Sequence, residues 1–179
     1  RGLVATTYEA RDVNSGVAYA LKEYFPLGLA RRQGADVLAT GHPEEYAQGL
    51  RRFLDDANEL KSLSHPNLLN VHRIFEANGT AYIVFDRLMG QTLESWRRGL
   101  DSPPTQEEMD LIAIPLLAAL EYMHSKGAYH LDLSPKSIIV RSSGGAPTLL
   151  RPDASLQENH YLPPEQFGSD GSRCGPWSD

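Results

Sequence analysis

Tyr129-His130-Leu131-Asp132-Leu133-Ser134-Pro135-Lys136-Ser137-Ile138 is the stretch that decides the fold of this 179-residue chain. It follows Gly127, a residue suited to ending a helix, and runs into the β-type segment 137–141. Between these it has neither a helical nor an alternating period. It reads as a loop that presents one carboxylate, Asp132.

Upstream of the loop, 110–126 is strongly apolar and predicts a helix with Pro115 near its first turn, where a missing N–H costs little. Before that, 68–76 and 80–87 are rich in β-formers and joined by Asn78-Gly79, the dipeptide of a two-residue hairpin turn. Leu50, Phe53, Leu54, Ala57, Leu60 and Leu63 recur at helical spacing and predict a helix over 44–63, ended by His65-Pro66-Asn67. Asn14-Ser15-Gly16 joins 5–12 to 17–24 in a first hairpin, stopped by Pro26 and Gly28, and 34–43 reads as a loop. Downstream, 148–150 is a second short strand-like run. Strands around one helix, followed by a mainly helical part, make an α+β protein with two lobes, 1–88 and 89–179.

Composition narrows the function classes. A net charge of −6 and a pI near 5.5 leave no basic face for a nucleic-acid backbone, and Arg31-Arg32 and Arg51-Arg52 are too few to change that. The most apolar run, 111–120, is short of the roughly 18 residues of a membrane span and contains Pro115. The N-terminus lacks the pattern of a signal peptide. One cysteine, Cys174, excludes an internal disulfide and a thiolate zinc cluster, and fits a reducing, cytoplasmic setting. The six histidines have no metal-ligand spacing, so no metal is expected.

The quoted loop resembles the catalytic loop of protein kinases. Ala20-Leu21-Lys22-Glu23-Tyr24-Phe25-Pro26 is similar to their strand-borne lysine motif in its bacterial Ser/Thr form. Leu162-Pro163-Pro164-Glu165 resembles the element that closes the activation segment, and Ser178-Asp179 the start of the buried helix after it. Each motif alone is weak; their order, with His65-Pro66-Asn67, the Asn78-Gly79 hairpin and Gly90-Gln91-Thr92-Leu93 between them, is specific. The resemblance implies a bilobal kinase-like fold: a small antiparallel-sheet N-lobe with one main helix, then a mainly helical C-lobe, truncated at both ends. It implies phosphoryl transfer from ATP, with Lys22 on the α/β-phosphates and Asp132 orienting the hydroxyl or accepting its proton. Ala20 and Leu88 would border the adenine, the main chain of Asp86 and Leu88 would supply hinge hydrogen bonds, and Phe85 would stand behind them. Thr7 and Ile139 would also line the nucleotide, and Asp56 would be the partner of Lys22.

Departures from the family pattern qualify this. Arg1-Gly2-Leu3-Val4-Ala5-Thr6 stands where a glycine-rich loop belongs, and side chains there hinder backbone approach to a phosphate. Asp56 is one methylene shorter than the expected glutamate. Ser134 replaces the loop lysine, Ser137 the metal-binding asparagine, and Arg151 the principal metal-holding aspartate; Asp153 is a poor substitute. Magnesium binding is therefore doubtful, while ATP binding stays open because arginine can itself pair with phosphate. Arg151 is expected to approach Asp132 in the empty protein. The expected function is a pseudokinase that regulates or scaffolds another protein or a neighbouring domain. Its rivals are an active Ser/Thr kinase with atypical metal handling and a purely structural interaction module.

Overall fold

The computed structural model describes residues 4–142, 146–150, 165 and 174–179, which fall into two compact units. The first unit holds 4–64 and 70–87, and the second holds the remaining described residues, including 65–69.

In the first unit, strands β1 (Ala5–Arg11), β2 (Ala18–Tyr24), β5 (Val71–Ala77) and β6 (Thr80–Asp86) form an antiparallel sheet in the order β1-β2-β6-β5. Both expected hairpins are present. At the β5–β6 turn, Asn78 and Gly79 have φ of 52° and 72°, the left-handed values that a two-residue turn of this hand requires. Helix α1 (Pro43–Ser62) starts with proline in its first turn and Glu44 and Glu45 close behind, and it ends near Lys61, charges that suit the helix dipole. Its inward face carries Tyr46, Phe53 and Ala57. The Tyr24 ring lies 5.2 Å from that of Tyr46 and 5.4 Å from that of Phe53, so α1 packs on the face of β2 that bears Tyr24. Each fully buried ring of this cluster contributes about 1.5–3 kcal/mol.

One expectation for this unit fails. Residues 34–43 do not form a plain loop: β3 (Ala30–Gln33) and β4 (Asp36–Ala39) pair as a second small sheet. Val37 in β4 is buried, and its N–H donates to the Asn78 carbonyl at 2.8 Å. The strand is held by a tertiary contact with the β5–β6 turn.

In the second unit, β7 (Gly90–Thr92), β8 (Ile138–Arg141) and β9 (Thr148–Leu149) form a small antiparallel sheet beside helices α2 (Leu93–Arg98) and α3 (Gln106–Ser125). Gly90 is required there, because a Cβ would stand 2.3 Å from the Val140 carbonyl oxygen. Helix α3 begins four residues before its expected start. The Thr105 hydroxyl accepts from the Glu108 N–H, and the Glu108 carboxylate accepts from the Thr105 N–H, a capping box that extends the helix over a polar first turn. Pro115 is consequently interior to α3, where it leaves the Leu111 carbonyl without its helical donor and costs about 3 kcal/mol. Gly127, with φ of 71°, follows the helix as expected. No helix among the described residues is long and apolar enough to cross a membrane.

Candidate functional site

The residues singled out above fall into two groups, one in each unit. In the first unit, alternation along β2 puts Ala20, Lys22 and Tyr24 on one face. Across the sheet Lys22 is in register with Thr7 and Ile83, and Ala20 with Phe85, so these side chains share that face. Since Tyr24 meets α1 from it, Lys22 stands on the side of the sheet covered by the helix that carries Asp56. Asp56 itself is solvent-exposed. Asp86 closes β6; its N–H donates to the Asn70 carbonyl at 3.3 Å, and its carboxylate lies 2.5 Å from His72 Nε2.

The opposite face of β2 holds a feature that sequence reasoning missed. Glu23, beside Lys22, is only 1% exposed. Tyr82 donates to its Oε1 at 2.8 Å, Tyr8 to its Oε2 at 2.9 Å, and Arg32 of β3 forms an ion pair with Oε2. Burial first, and then the neighbouring carboxylate, raise the Tyr8 phenol above its ordinary pKa; burial also leads in raising that of Tyr82. The bond to Glu23 holds the Arg32 guanidinium protonated beyond its ordinary range. The network ties the β3–β4 hairpin to the strand that carries Lys22. Its only sequence sign was a charged residue at the inward end of a strand.

In the second unit, Asp132 lies on a loop fixed from several sides. His130 is buried; its Nε2 is 2.7 Å from the Leu150 carbonyl, and its Nδ1 accepts from the Asp132 N–H at 3.3 Å. Those two bonds select the tautomer with its proton on Nε2. Asp179 accepts from the His130 N–H at 2.8 Å and the Leu131 N–H at 2.6 Å, and from His124 Nε2 at 2.7 Å. Between these anchors Leu131 has φ of 61°, a left-handed conformation that is unusual for a branched side chain and persists only where the surroundings impose it. The structural role of Asp179 was not legible, since its partners lie 48 to 55 residues away.

Ser137 is 3% exposed. Its hydroxyl accepts from the Ser134 N–H at 3.0 Å and lies 2.9 Å from the Ser134 carbonyl and 3.3 Å from that of Asp132. Ile139 on β8 pairs with Thr92 and Thr148. Leu88 belongs to this unit and is half-buried. Leu150 donates to the Ser137 carbonyl at 2.7 Å and accepts from His130, which places the backbone just before residue 151. Arg151, Asp153, Arg1 to Leu3 and Leu162 to Pro164 lie outside the described residues. Glu165 accepts from the Ser178 hydroxyl at 2.6 Å, a bond that lowers its pKa.

Comparison with known proteins decides the family. The profile of the protein kinase domain matches residues 1–149. The chain belongs to the protein kinase family. Over 130 residues it is 32% identical to the probable serine/threonine-protein kinase PknB of Lactococcus lactis and 26% identical to the serine/threonine-protein kinase PrkC of Bacillus subtilis. Each alignment covers 65% of this chain, and the chain spans about a fifth of either relative's length (21% and 20%). The solved structure described as PpkA-294 apo form superimposes with a TM-score of 0.84 at 28% identity, covering all of this chain and 68% of that one. The kinase-like fold expected from the motifs is thus present, with an antiparallel-sheet N-terminal unit, as a Ser/Thr-protein-kinase-like domain with bacterial relatives.

Proposed function

We propose that this domain is a pseudokinase, which binds a nucleotide weakly or without metal and acts by regulating another protein or a neighbouring domain. The observation that carries the reading is Ser137. Kinase domains generally use ATP with magnesium, and by the resemblance of the 129–138 loop to the family's catalytic loop, position 137 is where the metal-binding asparagine would stand. A hydroxyl has one proton and two lone pairs, and here the proton and one lone pair fold the loop around Ser134 and Asp132. Magnesium demands several well-placed oxygens in near-octahedral array. On this reading Ser137 and Arg151 leave both of the family's protein ligand positions without the side chain that holds magnesium.

The second metal position, Arg151, carries a charge that repels a cation and attracts phosphate. Lewis-acid stabilisation is worth several kcal/mol, and each ~1.4 kcal/mol is tenfold in rate, so its loss costs on the order of a thousandfold or more. The chain's own groups can still serve binding: the Lys22 ammonium can neutralise a phosphate, and Asp132 can orient a hydroxyl. Their retention favours the rival reading, an active kinase with atypical metal handling. The lone Cys174 suits a reducing cytoplasm.

Two measurements on the full-length protein test this. Thermal shift with ATP should show stabilisation that does not depend on magnesium. Radiolabelled transfer from ATP to itself and to generic substrates should be no greater than that of Asp132→Asn. Robust magnesium-dependent incorporation abolished by Asp132→Asn establishes the rival instead.

A further inference from the structure

The β3–β4 hairpin is too small to hold itself. It is a separate sheet of two four-residue strands, and Val37 is its one buried strand residue. A two-stranded hairpin of that kind is marginal in water, so its shape is set by what it touches. Two anchors hold it. Arg32 pairs with the buried Glu23 carboxylate, lies 3.3 Å from the Tyr8 hydroxyl and sits over the Phe25 ring at 5.1 Å. Val37 donates its N–H to the Asn78 carbonyl at 2.8 Å, and Gly79 comes so close that a Cβ there would stand 2.4 Å from the Val37 carbonyl oxygen.

These anchors lead the chain round the end of the four-stranded sheet. Glu23 and Tyr24 are successive residues of β2 and point to opposite faces. Arg32 bonds on the first face, while α1, which starts three residues beyond β4, packs on the second through Tyr46. The link 40–42 is short and itself bonded: the Thr40 N–H donates to the Leu29 carbonyl at 2.9 Å, and the His42 N–H to the Thr40 carbonyl at 2.7 Å. Hairpin and helix also meet at one turn. The Asn78 carbonyl accepts from Val37 of the hairpin, and the next carbonyl, that of Gly79, accepts from the Tyr46 hydroxyl of α1 at 2.9 Å. Tyr24 completes the seat, its hydroxyl filling a notch at Gly49 where a Cβ would stand 2.1 Å away.

We propose that the β3–β4 hairpin is a strap that clasps α1 to the sheet, and that strap and the first half of α1 open together as one cooperative unit. The Arg32–Glu23 pair is the clasp. Leaving Glu23 buried without its cation is strongly unfavourable, which keeps the strap closed. Opening bares Glu23 on one face of β2 and unseats Tyr24 on the other, so a change at the exposed hairpin reaches both sides of the strand that carries Lys22. Segments that open below the global free energy are the ones from which moving elements are drawn. The inference goes beyond the pseudokinase reading and holds whether or not the domain binds a nucleotide.

The test is native-state hydrogen exchange of the full-length protein in subdenaturing urea. In the unmodified protein, amides of 37–40 and of 47–53 are expected to share one opening free energy and one urea dependence, both lower than those of 81–85 in β6. Arg32→Gln is expected to accelerate both segments by the same factor, about tenfold or more, with 112–123 in α3 unchanged. Gly79→Asn acts at the other anchor and leaves Arg32 and Glu23 in place. Asparagine tolerates the left-handed turn while its Cβ pushes on Val37, and the same joint acceleration is expected. The exchange pattern of the unmodified protein stands by itself if either variant misfolds. The proposal is overturned if 47–53 opens only together with 81–85, or if either variant frees the hairpin while 47–53 keeps its original rate.

Discussion

Asp179→Asn should loosen the loop that carries Asp132, and the structure gives the size of the effect. The Asp179 carboxylate is almost wholly buried, with Oδ1 accepting from the Leu131 N–H and Oδ2 from the His130 N–H and His124 Nε2. Asparagine keeps one acceptor oxygen and turns the other into a donor. With its oxygen toward His130 and His124, its NH2 faces the Leu131 N–H and leaves two donors opposed. A charge-assisted bond of this kind is worth ~1.5–3 kcal/mol, and a buried donor left unsatisfied costs ~1–3 kcal/mol. Leu131 also resides in a left-handed conformation disfavoured by ~1–2 kcal/mol, so removing its anchor lets that strain relax. Relaxation recovers part of the loss, and the net expectation is about 2 kcal/mol. Hydrogen exchange resolved to residues 128–134, with a urea melt of the same protein, checks this. A loss of ~2 kcal/mol accelerates exchange through local opening about thirtyfold and moves the midpoint to lower urea. If Leu131 exchanges at its original rate and the midpoint does not move, the carboxylate does not hold this loop.

In the first unit, Glu23→Gln should cost about 2–4 kcal/mol, since it leaves two phenols and Arg32 without their anion; Arg32, 38% exposed, turns partly to water and limits the cost. A urea midpoint equal to the parent's would show the network to be ornamental. Gly49→Ala gains ~1 kcal/mol of helix propensity but sets a Cβ 2.1 Å from the Tyr24 hydroxyl, so a net loss of about 1–2 kcal/mol is expected, and a raised melting temperature would show that Tyr24 yields freely. Tyr8, Tyr24, Tyr46 and Tyr82 all have pKa values raised above 10.0, chiefly by burial. Above about pH 10 the unfolded chain therefore loses phenolic protons first, the native state binds more, and stability falls as pH rises; alkaline melts with no decline between about pH 9 and 11 would contradict this.

What could be read from the residues was what depends on neighbours in sequence. Asn78-Gly79 dictates its turn because two successive left-handed residues are required there, and the apolar period of α1 needs no partner to be seen. The start of α3 is equally local: Thr105 and Glu108 form a capping box whose spacing is plain in the sequence, but the polar first turn that follows hides it from a search for apolar periodicity. By contrast, β4 exists because Val37 meets the turn at Asn78, and a Cβ at Gly79 would lie 2.4 Å from the Val37 carbonyl oxygen. A four-residue strand whose support is a turn forty residues later leaves no local signal. Glu23 is the same case at the site, since its burial depends on Tyr8, Arg32 and Tyr82 from three different strands.

The same division explains how a catalytic loop can keep its shape while its chemistry changes. The conformation around Asp132 rests on His130, on the Asp179 carboxylate and on the hydroxyl of Ser137, which bridges Ser134 and Asp132. None of these bonds uses a metal ion or a nucleotide. The serine at 137 is short enough to turn back onto its own loop; on the pseudokinase reading proposed above, that same turn leaves the metal position without a ligand. Selection for a well-ordered scaffold would then retain His130, Asp132 and Asp179 with no demand for turnover. Survival of Asp132 therefore weighs less for activity than its place in the motif suggests, and the weight shifts to Ser137→Asn. If an amide at 137 restores magnesium-dependent nucleotide stabilisation in thermal shift, the loop is a competent frame that lacks a ligand. If it only lowers the melting temperature, the hydroxyl is a structural element of the loop, and the frame has been rebuilt around it.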